Sequence, residues 1–108
     1  MTRGEIFSVV LPGDFGKPRP GVIVQTDLIN LTHPTFLVCP FTSDPMPGNI
    51  LRPTVEPEPA NGLQARSQIM VDKLLAVRRE KVRGRIGRLD PGTLAELDRI
   101  LRIILDLP

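Results

Sequence analysis

Apolar residues change their period once along the chain, near residue 90. Before that point they come in short runs. Glu5–Leu11 is β-branched and aromatic at successive positions, which predicts a strand buried on much of both faces. A second strand is expected over Gly21–Thr26, opened by Pro20 and built on Val22-Ile23-Val24. A third covers Phe36–Cys39, with Pro40 interrupting it before Phe41-Thr42, and a proline there demands an edge, a bulge or a strand end. A short strand follows near Ile50–Val55. Ser67–Val77 is apolar enough for one strand or a pair, with a short helix over Asp72–Val77 as the alternative. Lys81–Ile86 alternates strictly, Lys81, Arg83 and Arg85 on one face against Val82, Gly84 and Ile86 on the other, the pattern of a half-exposed strand.

After residue 90 the pattern becomes helical. Asp90 is a good N-cap, and Pro91 takes the first helical position, where its missing N–H costs nothing. Leu94, Leu97, Ile100, Leu101 and Ile104 then share one face. Ile103 and Leu105 widen that stripe beyond what one small sheet needs, which leaves room for a subunit interface. The expected fold is mainly β (α+β): a small curled sheet or barrel of five to seven strands with one C-terminal helix.

Proline content sharpens this picture. Ten of the twelve prolines fall between Pro12 and Pro59, so no ordinary helix fits comfortably there beyond a turn within Gly21–His33. The 108 residues suit a single domain over 1–108, without internal repeats. No apolar run is long enough to cross a bilayer, and the start has no signal-peptide architecture. One cysteine and one histidine can build neither a disulfide framework nor a multi-histidine metal site. A cytoplasmic protein without metal or cofactor is expected.

Charge is unevenly spread although the net is only +2. Residues 63–89 carry eight basic side chains against Asp72 and Glu80, whereas the flanking segments are each slightly acidic. Eleven of the fourteen cations are arginine, whose fork matches phosphate or carboxylate. A polyanionic partner, nucleic acid or an acidic protein tail, is one reading. A solvated face carrying edge-strand gatekeepers is the other.

His33 alone cannot form a two-histidine acid–base pair, and the chain has no GxSxG, P-loop or paired metal ligands. Catalysis would have to use arginine, hydroxyls, a carboxylate or backbone groups. That favours charge stabilisation on a substrate carrying its own nucleophile, as RNA does in its 2′-hydroxyl.

Several segments, in order, then become recognisable. Arg3-Gly4-Glu5-Ile6, the glycine-containing loop and Lys17-Pro18-Arg19-Pro20-Gly21-Val22-Ile23-Val24 resemble the opening of MazF/PemK-family toxins of bacterial toxin–antitoxin pairs. Val38–Ser43, Gly62-Leu63, Ser67–Lys73, Lys81-Val82 and Ile86–Leu89 resemble that family's later parts, so the likeness runs nearly end to end. It implies an SH3-like barrel, a homodimer and metal-independent cleavage of single-stranded RNA at a short sequence, leaving a 2′,3′-cyclic phosphate and a 5′-hydroxyl.

By the same likeness Arg19 is the catalytic arginine and Thr42 the hydroxyl that helps hold the scissile phosphate. A guanidinium with a pKa above 12 is a poor base but a good stabiliser of a phosphorane-like transition state. Arg19 is therefore assigned to electrostatic stabilisation, with proton donation to the leaving 5′-oxygen as a further role, and no residue is assigned as base. Ser43 and Lys17 are candidate RNA contacts; Phe15 either stacks on a base or tacks its loop to the barrel. Gln64, Arg66 and Ser67 stand where the family often contacts RNA; some relatives carry an acid near Ser67, which this chain lacks. His33 reads as a surface turn residue, and Cys39 and Met70 as core.

Two other functions compete. A gyrase-poison toxin shares the fold but uses C-terminal residues including a tryptophan, and this chain has none. A plain nucleic-acid-binding barrel would need more stacking surface than four phenylalanines supply. A toxin also implies a cognate acidic antitoxin, expected to occupy the RNA groove by mimicking phosphate charge in a complex that salt weakens.

Overall fold

A computed structural model describes residues 1–108. Seven strands precede one helix: β1 (Glu5–Val10), β2 (Pro18–Ile23), β3 (Thr35–Thr42), β4 (Thr54–Val55), β5 (Ser67–Ile69), β6 (Leu75–Arg78) and β7 (Val82–Arg88), then α1 (Pro91–Leu105). The pairing order is β4-β5-β3-β2-β1-β7, every pair antiparallel, and β6 lies on β3 beside β5. Single 3-10 turns occupy Val71–Lys73 and Arg79–Lys81. The expected sheet-and-helix class is the observed one, with Ser67–Val77 resolved as a strand pair around a 3-10 turn.

Both faces of the sheet are apolar, as β1 foretold. Ile6 joins a cluster with Val22, Cys39, Phe41 and Ile69, on which Leu97 and Ile100 of α1 pack. Its neighbours Phe7 and Val9 join a second cluster with Ile23, Phe36, Val38 and Val77. Adjacent residues falling in different clusters is the period-2 alternation of a strand covered on both sides. Curl comes from β7: Ile6 opposes Gly87, yet Phe7 opposes Arg85 and Val9 opposes Val82, so β7 carries an extra residue twice. That slippage ends the strict alternation expected from Lys81 to Ile86.

Two prolines lie inside β2, where the strand was expected to start only at Gly21. Pro18 and Pro20 pair with β1, but β3 meets β2 only from Gly21 onward. That half of β2 has one open edge, which tolerates residues without an N–H. Pro40 likewise does not break β3; it sits between the stretch paired to β6, ending at Val38, and the stretch paired to β5, starting at Phe41. The expected strand near Ile50–Val55 shrinks to Thr54-Val55.

Asp90 caps α1 through its carboxylate, which accepts from the Thr93 N–H at 3.0 Å. The outer side of α1 leaves Ile103 and Leu105 about half exposed, at 55% and 49%. No helix is long and apolar enough to cross a membrane.

Candidate active site

Arg19 enters the site from the open-edged half of β2, opposite Val9 of β1. The β1–β2 loop brings Asp14 under it. Arg19 Nε donates to Asp14 Oδ2 at 2.7 Å and Nη2 to Asp14 Oδ1 at 2.9 Å, a two-pronged ion pair. Nη1 donates to the Phe41 carbonyl at 3.2 Å, tying the guanidinium to the end of β3. Of the five N–H groups an arginine carries, three are thereby engaged and two remain for a ligand. Arg19 is 35% exposed and Asp14 18%, so the head group is held but reachable.

These residues border a groove of about 620 Å³. One wall is Asp14 and Lys17–Pro20; a second is Phe41–Asp44; a third is Gly62–Ala65 with Ser67, and Ile86 of β7 completes the lining. Thr42 Oγ1 accepts the Asp44 N–H at 3.1 Å, the ST-turn geometry, which leaves the hydroxyl proton free to donate outward. Ser67 Oγ donates to the Ala65 carbonyl at 2.9 Å and retains its acceptor capacity.

The third wall is built by a close approach of backbones. Asn61, buried, accepts the Glu58 and Leu63 N–H groups on Oδ1 and donates Nδ2 to the Glu56 carbonyl. The turn so formed presses Gly62 against β7: its φ is +69°, and a Cβ there would lie 2.1 Å from the Ile86 carbonyl oxygen. Only glycine fits.

Six of the eight residues singled out from the sequence therefore share one groove: Lys17, Arg19, Thr42, Ser43, Gln64 and Ser67. Phe15 is not among them. Its side chain is fully exposed at a positive φ of 54°, so it neither lines the groove nor tacks the loop to the sheet. Arg66 points elsewhere, 67% exposed and 2.8 Å from Glu56. Asp14 is the residue the sequence reading missed. The hairpin register that places it beneath Arg19 depends on where β2 begins, and the prolines concealed that.

The arginine-rich segment disperses instead of forming one basic patch. Arg79 lies 4.5 Å over the Phe36 ring and donates to the carbonyls of Asn30 and His33. Arg85 pairs with Glu5 at 2.6 Å, and Arg88 donates to the Thr2 hydroxyl. The groove itself is balanced, with Lys17 and Arg19 against Asp14 and Asp44. What the groove presents is the directed N–H groups of Arg19 rather than a broad positive field.

Titration properties follow from these contacts. Burial alone would raise the Glu5 carboxyl, but hydrogen bonds from Arg85 and Thr2 outweigh it and bring the pKa to about 2. Burial pushes the Cys39 thiol up to about 12, which suits a packing residue. No group of three or more His, Cys, Asp or Glu side chains is gathered anywhere as a metal cage.

Such a molecule is a small curled sheet with a C-terminal helix whose groove presents a braced arginine beside a threonine hydroxyl. The family model for PemK-like, MazF-like toxins of type II toxin–antitoxin systems matches residues 2–105. The chain belongs to that family. It is similar to the probable endoribonuclease MazF of Mycolicibacterium smegmatis, 37% identical over 108 residues that cover 99% of this chain and 98% of that one. Endoribonuclease MazF9 of Mycobacterium tuberculosis is 29% identical over 115 residues, with the same shares covered. Both relatives carry the name endoribonuclease. Among solved structures, the Mycobacterium tuberculosis toxin MazF-mt6 superposes with a TM-score of 0.83 at 21% identity, covering 96% of this chain and 98% of that one. A mycobacterial endoribonuclease in complex with its cognate antitoxin superposes at 0.84, with 16% identity and coverage of 100% and 97%. At these identities the structural likeness bears on the fold.

Proposed function

We propose that this chain cuts single-stranded RNA at a short sequence by metal-independent transesterification in the Arg19 groove. The observation that carries the reading is the bracing of Arg19 by Asp14 and the Phe41 carbonyl, with two N–H groups unspent beside the Thr42 hydroxyl. The 2′-hydroxyl gives up its proton as its oxygen forms a bond to the adjacent phosphorus, the bond from phosphorus to the 5′-oxygen breaks, and that oxygen takes up a proton, so the products end in a 2′,3′-cyclic phosphate and a 5′-hydroxyl with no net gain or loss of protons. Charge grows on the non-bridging oxygens as the 2′-oxygen closes in. A guanidinium already fixed in place meets that charge without reorganising. Thr42 donates a hydrogen bond to the same phosphate, and Lys17, Ser43, Gln64 and Ser67 flank the strand. Both Asp14 oxygens accept from Arg19, which makes that carboxylate the brace of the guanidinium.

The partners follow from the same reading. A cognate antitoxin neutralises the toxin by covering the groove. A second copy of the chain packs on the outer side of α1, where Ile103 and Leu105 stand exposed. The setting is the cytoplasm, where RNA substrate is found.

The test is incubation of purified protein with several long unstructured transcripts in EDTA. Wild type gives discrete fragments and Arg19→Ala gives none. Wild type that binds RNA in a salt-dependent way yet leaves every transcript intact would make the chain a binding module instead.

A further inference from the structure

The segment after β3 that carries Ser43 and Asp44 into the groove wall has almost nothing of its own to hold it. It runs Ser43-Asp44-Pro45-Met46-Pro47-Gly48-Asn49, and its one large apolar side chain, Met46, is 54% exposed. Within the segment, Asn49 N–H and Nδ2 both turn back on Met46. At its two ends neighbours in the chain bond to it, Thr42 Oγ1 accepting the Asp44 N–H and the Leu51 and Arg52 N–H groups donating to Asn49; its middle is reached from a distant part of the chain by Gln68 of β5, itself 5% exposed. Gln68 Oε1 accepts the Met46 N–H at 2.9 Å and Nε2 donates to the Met46 carbonyl at 3.2 Å. The side-chain amide thus imitates one rung of a β-ladder, although Met46 lies in no strand. The backbone of Gln68 meanwhile pairs with Thr42 on one side and Thr54 on the other, so the amide projects from a fixed platform.

We propose that Gln68 is a positioning residue for RNA binding, setting the wall formed by Ser43 and Asp44 by clamping the Met46 peptide groups. The inference rests on the reading of the groove as the RNA site. Because Arg19 is braced by Asp14 and the Phe41 carbonyl, and the Gln68 side chain bonds neither of them but only Met46, Gln68 acts on substrate affinity rather than on the chemical step. A loop that must be ordered by each incoming strand subtracts its ordering cost from binding. Truncating the clamp therefore raises KM and leaves kcat where it was.

The experiment compares wild type with Gln68→Ala and with Gln68→Met, which keeps the volume but cannot clamp. Amide hydrogen exchange of the full chain reads the clamp directly: the Met46 amide exchanges at least about ten-fold faster in both variants, while Ile69 stays protected. Steady-state cleavage reads the consequence, a KM roughly ten-fold higher with kcat within about two-fold of wild type. Faster Met46 exchange with an unchanged KM overturns the proposal, because the wall would then be irrelevant to substrate. A kcat that falls with KM constant also overturns it, as does loss of Ile69 protection in both variants, since Gln68 would then be holding the fold. Binding of an uncleavable 2′-O-methyl oligonucleotide separates this inference from the reaction itself: weaker binding by both variants supports the clamp even if wild type cuts nothing, and equal binding refutes it.

Discussion

Replacing Asp14 by asparagine tests the brace on Arg19 without removing the arginine. Asparagine keeps the shape and one oxygen but turns an NH₂ group toward a guanidinium that has only donors to offer. Of the two charge-assisted bonds, at 2.7 and 2.9 Å, one is lost and a donor faces a donor in its place. Hydrogen bonds to charged groups contribute about 1.5–3 kcal/mol, and this pair is partly buried, so the discount for a fully exposed ion pair is not applied in full. Taking about 2 kcal/mol as orientation lost in the transition state, kcat falls roughly thirty-fold. KM falls or stays where it was, because the groove loses one of its two acidic side chains and repels phosphate less. Single-turnover cleavage of a defined oligonucleotide over a range of enzyme concentrations separates the two effects. A kcat equal to wild type would refute the brace. A raised kcat would mean that Asp14 occupies the position the phosphate needs.

Three further outcomes follow from particular contacts. Glu5 has its pKa lowered to about 2 against about 4.5 when unfolded, so it stabilises the fold above that higher value and loses the contribution as pH falls toward 2. Glu5→Gln is accordingly less stable at pH 7, and urea titrations from pH 7 to pH 2 show the gap to wild type closing; a constant gap contradicts the linkage. Cys39, fully buried with its thiol near 12, resists disulfide-exchange reagents until the chain unfolds, and prompt stoichiometric labelling of native protein would show that the core opens there. Gly62→Ala sets a methyl against the Ile86 carbonyl at a positive φ and costs roughly 2 kcal/mol or more in denaturant unfolding, whereas neutrality would mean that the turn at Asn61 yields easily.

Local signals carried most of the architecture. Asp90-Pro91 and the stripe through Leu97 and Ile100 specify α1 from its own residues, and the run from Ile6 to Val9 announces a strand buried on both sides. What escaped was whatever depends on where a neighbouring strand stops. Pro18 read as loop and Pro20 as the opening of the strand, because nothing in the sequence reveals that β3 leaves β2 at Gly21. The basic run left a binding surface and a solvated face both open, because Arg79 finds Phe36 and the His33 carbonyl, and Arg85 finds Glu5 80 residues away, only after folding. For the site, the likeness to the toxin family singled out Arg19 and Thr42, which share one groove, whereas Asp14 and Gln68 needed the register.

In the proposed reaction a ribose hydroxyl, not water, attacks the phosphorus beside Arg19. End-group analysis of the fragments made in EDTA, by mass spectrometry of a single-site oligonucleotide, tests it most directly. A 2′,3′-cyclic phosphate on one fragment and a 5′-hydroxyl on the other is the expected result. A 3′-hydroxyl with a 5′-phosphate would contradict the account, because that pair of ends requires the 2′-oxygen to stand idle.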